Sequence, residues 1–95
     1  MTDANNMNKV EIYTSNFCGY CLAAKALLKY KGLKYKEINV SSDPDLKTVL
    51  MEKYNWRTIP LIIINNKVIG GFEQLLALES RGHLDKLLNE EVNTD

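Results

Sequence analysis

The segment Leu61–Ile64 consists of four consecutive large aliphatic residues, LIII. A strand with one face in water alternates apolar and polar residues, whereas a continuously apolar strand is typical of one that is covered on both faces. This segment therefore predicts a central strand in a sheet with helices packed on both sides.

Strands and helices alternate in the first half of the chain. Residues 9–14 (KVEIYT) are rich in β-branched and aromatic residues, which predicts a strand. Residues 33–40 (LKYKEINV) alternate between apolar and polar residues well enough to predict a second strand. Between them, residues 19–31 have apolar residues at steps of three and four, which predicts a helix that ends at Gly32. Its predicted buried stripe comprises Ala23, Ala26, Leu27 and Tyr30. Since a β-α-β unit needs a crossover connection, the two strands should be parallel.

The second half begins with a helix start, because Asp43 can cap a helix and Pro44 suits its first position. Residues 60–70 are predicted to form a β-hairpin around an Asn-Asn turn. A helical pattern then covers residues 72–88 and should be interrupted near Gly82. The buried stripe predicted for the helix that begins at Pro44 comprises Leu46, Val49, Leu50 and Tyr54.

The element order β-α-β-α-β-β-α predicts an α/β protein with a mixed four-stranded sheet flanked by helices on both faces. The 95 residues fit one domain, with a core at about 8–90 and polar ends at 1–7 and 91–95. We see no internal repeat and no linker.

The charge balance argues against electrostatic partners. Twelve basic and twelve acidic residues give a net charge of zero, so we expect neither nucleic acid nor membrane as a partner. The amino end is polar and lacks the pattern of a signal peptide. We therefore expect a soluble, cytoplasmic protein, in a compartment where thiols are kept reduced.

Cys18 and Cys21 are the two cysteines of the chain and are separated by two residues. A structural zinc site needs four ligands, and the single histidine, His83, is distant in sequence. A structural disulfide that closes so small a loop would constrain the unfolded chain little. A redox-active pair is the favoured interpretation, and the other two remain alternatives.

The position of the pair favours reactivity. Cys18 lies at the predicted helix start, where free N–H groups and the helix dipole stabilise a thiolate. In such settings the pKa of a cysteine falls from about 8.5 to about 3.5–7.5. Cys21 lies three residues further, on the same face and deeper in the helix. Cys18 is therefore predicted to attack a disulfide, and Cys21 to resolve the mixed disulfide that results.

At this point the chain resembles the glutaredoxins, which have a thioredoxin-like fold. The resemblance covers roughly residues 8–90 and rests on several motifs in order. These are Cys-Gly-Tyr-Cys at 18–21, RTIP at 57–60, GGFEQL at 70–75 and the closing segment LESRGHLDKLL. A lone C-x-x-C is a weak signal, but the motifs together at matching intervals are strong.

The resemblance implies a glutathione-dependent thiol–disulfide oxidoreductase that acts on glutathionylated or disulfide-containing proteins as a monomer. It implies a cis bond before Pro60, pairing of the Ile59 backbone with glutathione, and anion binding at the helix start after Gly71. The implied glutathione-binding residues are Tyr20, Lys47, Arg57, Thr58, Ile59, Pro60, Gly71, Phe72 and Glu73. We interpret Trp56 as a packing residue and His83 as a surface or capping residue.

Two positions depart from the family pattern. Relatives usually have proline where this chain has Gly19, and many have lysine where it has Ser15. Some relatives with glycine there bind a [2Fe–2S] cluster between two subunits, through the first cysteine and glutathione. An iron–sulfur carrier or sensor that ligates a [2Fe–2S] cluster through Cys18 in a bridged dimer is therefore the alternative function. Retention of Cys21 and Tyr20 favours the reductase.

Overall fold

The computed structural model describes residues 8–93 of the chain. Eight elements follow one another as four strands and four helices within this range. None of these helices is long and apolar enough to cross a membrane. The elements are β1 (Val10–Thr14), α1 (Gly19–Tyr30), β2 (Lys36–Asn39), α2 (Pro44–Tyr54), β3 (Leu61–Ile64), β4 (Lys67–Gly70), α3 (Phe72–Ser80) and α4 (His83–Asn93).

The four strands form one mixed sheet in the order β2-β1-β3-β4. β1 pairs parallel with β2 and antiparallel with β3, and β3 pairs antiparallel with β4. The predicted architecture is therefore confirmed, including the parallel pair that the first crossover demands. β2 is shorter than the predicted 33–40, although Leu33 and Val40 on either side of it are buried.

The hairpin β3–β4 is built on two asparagines in left-handed conformations. Asn65 and Asn66 have φ values of 52° and 69°. A two-residue turn with positive φ at both positions matches the twist of antiparallel strands, and asparagine is among the residues that tolerate it. Asn65 also anchors the turn to the start of β1, since its N–H donates to the carbonyl oxygen of Lys9 at 2.8 Å. All four residues of β3 are buried, as the continuous aliphatic run predicted.

One face of the sheet carries the main core, between the strands and helices α1, α3 and α4. Its buried residues are Val10, Ile12, Ala24, Leu28, Leu33, Ile62, Ile64, Leu75, Leu84 and Leu88. Tyr13 points to the opposite face, where Tyr54 of α2 lies close enough to affect it electrostatically. Burial is the largest cause that raises the pKa of the Tyr13 hydroxyl, followed by the charge of Glu11 and then by Tyr54. Helices therefore cover both faces.

The predicted stripe of α1 was wrong in its register. The buried residues are Cys21, Ala24 and Leu28, whereas Ala26 and Tyr30 are exposed. Small alanines lie on both sides of this helix and two leucines are adjacent, so the period alone fits two neighbouring stripes. The consequence for the site is that Cys21 faces the core.

Helix α2 begins as predicted but buries less of its stripe. The Asp43 carboxylate accepts a hydrogen bond from the Leu46 N–H at 3.0 Å, and Pro44 opens the helix. Leu50 is buried, while Val49 is 56% exposed, which contradicts its predicted place in the stripe. Leu50 is therefore the one buried residue of this helix, and Leu46, Met51 and Tyr54 are half-buried.

The closing helical segment is split, as predicted, by Gly82 with a φ of 73°. Helix α3 ends at Ser80 and α4 begins at His83, which is exposed. Helix α4 extends to Asn93, beyond the predicted end at Leu88. The polar ends predicted at 1–7 and 91–95 fall partly outside the described residues, namely 1–7 and 94–95.

A polar contact at the end of β1 ties α1 to the sheet. The Thr14 hydroxyl donates to the Glu37 carboxylate at 2.8 Å, and the Lys25 ammonium of α1 lies 3.0 Å from the same oxygen. The Thr14 hydrogen bond and then the Lys25 charge lower the pKa of Glu37. These contacts fix the strand end from which the cysteine segment starts.

Candidate active site

The two cysteines lie at the start of α1 and are joined by a disulfide, with 5.2 Å between their Cα atoms. Cys18 is the N-cap residue, in an extended conformation, and its sulfur accepts a hydrogen bond from the Cys21 N–H at 3.1 Å. Cys21 is only 2% exposed, whereas Cys18 is half-buried. The pair is therefore asymmetric, with one sulfur accessible at the helix end and the other in the core.

The segment before β3 lies beside the accessible sulfur. The Ile59–Pro60 peptide bond is cis, as the resemblance implied. The Ile59 carbonyl oxygen lies 3.9 Å from Cys18 Sγ. Thr58 is exposed, Ile59 is half-buried and Pro60 is buried, so the backbone here passes from the surface into the sheet next to the cysteines.

A cavity of about 450 Å³ opens on this segment. Its volume falls within the 300–1,000 Å³ range that is typical of small-molecule sites. Residues from α1, the loop before β3 and the start of α3 line it together. They are Tyr20, Trp56, Thr58, Ile59, Pro60, Gly71, Phe72, Glu73 and Gln74.

The start of α3 forms one wall of the cavity. Gly71 is the N-cap and has no side chain to accept hydrogen bonds from the first helical turn. Its own N–H donates to Oε1 of Gln74 at 2.9 Å, which holds the turn in place. The N–H groups of a first helical turn have no partner within their helix, and the helix dipole makes them suited to an anion.

Gly70 makes the turn into α3 possible. Its φ is 118°, a conformation that side chains disfavour. A Cβ atom there would come within 3.0 Å of both Trp56 Cη2 and Gln74 Cγ. The indole of Trp56 is therefore packed against the glycine, while its Nε1 atom is buried without a hydrogen-bond partner among the described residues.

Two aromatic rings meet at the cavity. Tyr20 of α1 and Phe72 of α3 stack with 6.3 Å between their ring centroids and 29° between their planes. Tyr20 remains 61% exposed, so much of its ring is open to a ligand or to solvent. This contact joins the helix that carries the cysteines to the helix whose first turn forms a wall of the cavity.

The structure brings together seven of the nine residues that the resemblance implied for ligand binding. Among the side chains it describes, Lys47 and Arg57 do not line the cavity, and both are exposed. Trp56 and Gln74 do line it and were not predicted as site residues. The sequence signal for Gln74 was its position in the first helical turn after the double glycine. The sequence signal for Trp56 was only its position two residues before Thr58.

A larger groove, of about 700 Å³, lies between β4, α3 and α4. Its lining includes neither cysteine nor any residue of the loop before Pro60. The smaller cavity does not have a cysteine in its lining either, but its lining residue Ile59 places a carbonyl oxygen 3.9 Å from Cys18 Sγ. The smaller cavity is therefore the one next to the cysteine pair.

Residues around Cys18 offer few ligands for a metal cluster. Within residues 8–93 no group of three or more His, Cys, Asp or Glu residues could hold a metal ion. A Cβ atom at Gly19 would meet nothing within 4 Å, so the side of the helix next to Cys18 is open. One chain thus fits a cluster only as the donor of a single thiolate, with the other ligands supplied from outside.

The fold and the cysteine pair define a thiol–disulfide oxidoreductase with a thioredoxin-like fold. The family model described as Glutaredoxin matches residues 10–69. The chain belongs to the glutaredoxin family.

Individual relatives agree with this assignment. The glutaredoxin of Pseudomonas aeruginosa is 42% identical over 83 residues, which cover 87% of this chain and 99% of that protein. The solution structure of glutaredoxin from Brucella melitensis is 44% identical, with a TM-score of 0.75 and coverage of 84% and 87%. The crystal structure of a buckwheat glutaredoxin–glutathione complex is 30% identical, with a TM-score of 0.79 and coverage of 93% and 83%.

Proposed function

We propose that the protein uses glutathione to reduce protein–glutathione mixed disulfides and protein disulfides. The observation that carries the proposal is the cavity of about 450 Å³ whose lining residue Ile59 lies 3.9 Å from the sulfur of Cys18. A glutathione complex of a buckwheat relative supports the choice of ligand. Since glutathione is kept reduced in the cytoplasm, we propose that the reaction takes place there.

In the reduced protein, Cys18 is the nucleophile. Its thiolate attacks the glutathione sulfur of a mixed disulfide, a bond forms between these sulfurs, and the protein thiolate leaves and takes a proton from water. A second glutathione thiolate then attacks the bound glutathione sulfur. Oxidised glutathione forms and Cys18 returns to its thiolate state.

For a protein disulfide, Cys18 attacks one sulfur and the other leaves as a thiolate. Cys21 then displaces the substrate and closes the Cys18–Cys21 disulfide, the state present in the structure. Two glutathione molecules reopen it. The burial of Cys21 supports its role as the second thiol, because a substrate reaches Cys18 first.

The cavity wall suggests how the tripeptide would bind. The first turn of α3 would receive the γ-glutamyl carboxylate, and Glu73 would pair with the ammonium group beside it. The Ile59 backbone would pair with the cysteinyl part, with Thr58 and Pro60 as the adjoining wall. Tyr20 and Phe72 would pack on the ligand.

The glycyl carboxylate would lie at the other end of the ligand and needs a cation. Arg57 is next in sequence to the lining residue Thr58, and Lys47 lies in the second turn of α2. Both are exposed side chains that would have to move onto the ligand. We propose them as the two cationic contacts in the absence of a lysine at Ser15.

Turnover of the glutathione–cysteamine mixed disulfide tests the function. Oxidised glutathione would be measured through glutathione reductase for the wild type, Cys18→Ser and Cys21→Ser. We expect only Cys18→Ser to abolish turnover, because the monothiol route needs one cysteine. A wild type without glutathione-dependent turnover would refute the proposal.

The open side of Gly19 favours a second candidate, a [2Fe–2S] carrier or sensor. Cys18 would supply one thiolate ligand from each of two subunits, and glutathione the remaining ligands. Anaerobic purification with glutathione, followed by visible absorption, iron analysis and sedimentation, tests this candidate. Gly19→Pro is the matched variant, since proline suits the first helical position and fills the open side. A coloured dimer that Gly19→Pro abolishes would support a cluster, and a colourless monomer would refute it.

A further inference from the structure

Phe17 is a fully exposed aromatic residue immediately before Cys18. Its relative exposure is 105%, so the ring contacts almost nothing among the residues that the structure describes. Isolated apolar residues on a surface are common and need no explanation by themselves. Here, however, the ring is attached to the residue next to the accessible sulfur, where every protein substrate must approach.

The backbone of Phe17 makes this exposure unusual. Its φ is 58°, in the left-handed region that bulky side chains rarely adopt and that glycine or asparagine adopts more easily. Neither local backbone preference nor burial therefore accounts for a phenylalanine here. Residues in such conformations cluster at functional sites, where other contacts hold them in place.

Hydrogen bonds behind the loop supply those contacts. The Asn16 N–H donates to the Ser41 hydroxyl at 2.6 Å, and the Asn39 side-chain amide donates to Oδ1 of Asn16 at 3.0 Å. The Ser41 N–H in turn donates to Oδ1 of Asn39 at 2.8 Å. The loop is thus anchored to the end of β2, and the ring of Phe17 is held outward by the fold.

Phe17 lies outside the lining of the cavity described above. A thiolate attacks a disulfide in line with the S–S bond that breaks. When glutathione occupies the cavity, the leaving sulfur therefore lies on the far side of the glutathione sulfur from Cys18 and points out of the cavity. The protein part of a substrate would therefore lie at the surface around Cys18. Tyr20 is partly covered there by its stacking on Phe72, whereas the ring of Phe17 is fully exposed.

We propose that Phe17 docks an apolar side chain next to the reactive cysteine of a protein substrate and so gives the protein a preference among glutathionylated proteins. This inference rests on the proposed function and names its substrate class. The chemistry is unchanged: Cys18 bonds to the glutathione sulfur, the glutathione–peptide disulfide breaks, and the peptide leaves as a thiolate. Phe17 acts by binding the leaving peptide.

Three substrates test the inference: glutathione–cysteamine disulfide and two S-glutathionylated peptides that differ only in leucine or serine on both sides of the cysteine. We expect the wild type to prefer the leucine peptide by about tenfold in kcat/KM, equivalent to about 1.4 kcal/mol. Phe17→Asn should remove the preference through KM and leave cysteamine turnover within about twofold. Phe17→Leu should retain most of the preference.

Tyr30→Asn is the matched control, because Tyr30 is an aromatic residue that is 81% exposed at the far end of α1. It should change none of the three rates. An equal wild-type rate for the two peptides, or a preference that survives Phe17→Asn, would overturn the inference. The inference would also be overturned if sedimentation showed a dimer for the wild type and a monomer for Phe17→Asn, because a second copy of the chain would then cover the ring. A wild type inactive on cysteamine disulfide would instead refute the proposed function.

Discussion

The backbone N–H of Cys21 donates a hydrogen bond to the sulfur of Cys18, with 3.1 Å between the two atoms. The residue proposed to resolve the mixed disulfide thus also contributes, through its backbone, to the N-terminal helix field around the sulfur proposed to attack. When the disulfide is reduced, this N–H remains a donor to a thiolate at the same place, since it belongs to the first turn of α1.

The reduced protein should therefore be alkylated selectively. We expect iodoacetamide at pH 6 to modify Cys18 at least tenfold faster than Cys21, because Cys18 is accessible at the helix end and Cys21 is 2% exposed. Mass spectrometry of peptides after timed quenching measures both rates. Denatured protein is the control, in which the two rates should become similar, and faster modification of Cys21 in the folded protein would contradict the assigned roles.

Gly70→Ala should destabilise the protein more than Gly82→Ala. Both glycines have positive φ, but a Cβ at Gly70 would also press on Trp56 and Gln74, whereas one at Gly82 would meet nothing within 4 Å. We expect a loss of about 2–4 kcal/mol in the free energy of unfolding for Gly70→Ala and about 1 kcal/mol for Gly82→Ala. Urea denaturation followed by circular dichroism measures both losses. Equal losses would show that the Trp56 side chain moves aside without a measurable cost in stability.

Phe17→Asn should raise the free energy of unfolding by about 0.5–1 kcal/mol, because asparagine tolerates the left-handed conformation and the exposed ring contributes little burial. Phe17→Ala removes the same ring without relieving the backbone, so it should give no such gain. Thermal and urea denaturation of the two variants check this. If Phe17→Ala stabilised the protein as much as Phe17→Asn, the gain would come from removal of the ring and not from relief of the backbone.

Glu37→Gln should destabilise the protein at neutral pH but not in acid. The Thr14 hydroxyl and then Lys25 lower the pKa of Glu37 below its usual 4.5, so the ionised form stabilises the fold. That contribution is present above the unfolded pKa and is lost as the pH falls through the folded one. We expect about 0.5–1 kcal/mol at pH 7, since the side chain is partly exposed, and a difference that vanishes once the pH has fallen below the lowered pKa of the folded state.

Urea denaturation of Glu37→Gln and wild type at pH 3, 5 and 7 makes this comparison. Glu52→Gln, at an exposed position of α2, is the control for a general loss of negative charge. A difference that stays constant with pH would mean that packing at residue 37 matters and its charge does not.

Sequence patterns predicted those parts of the fold that depend on local chemistry. The aliphatic run Leu61–Ile64, the cap at Asp43 and the break at Gly82 each have a signal within a few residues, and each was confirmed. The register of α1 was wrong because its small residues fit two neighbouring stripes equally well. Only tertiary packing, which buries Cys21 and Leu28, distinguishes them.

Gln74, one of the two missed lining residues, contacts Gly71 only three positions earlier, whereas the placement of Trp56 depends on a contact between distant residues. Trp56 lines the cavity because it packs on Gly70, fourteen positions later in the chain. The outward ring of Phe17 depends on the hydrogen bond between Asn16 and Ser41, whose sequence separation is 25. The segments RTIP and GGFEQL identified the predicted cavity residues within them, but not Gln74, and they had no information on distant neighbours such as Trp56.

Trp56 is the single tryptophan of the chain, and its indole nitrogen is buried in a wall of the cavity, with no hydrogen-bond partner in the part of the chain that the structure describes. Intrinsic fluorescence excited at the indole therefore comes from one place only. A ligand that fills the cavity changes the polarity around this fluorophore before any sulfur reacts. Stopped-flow emission of Cys18→Ser, which cannot exchange, should thus report the association of glutathione as an optical signal separate from turnover. The protein carries a native probe of occupancy that needs no label.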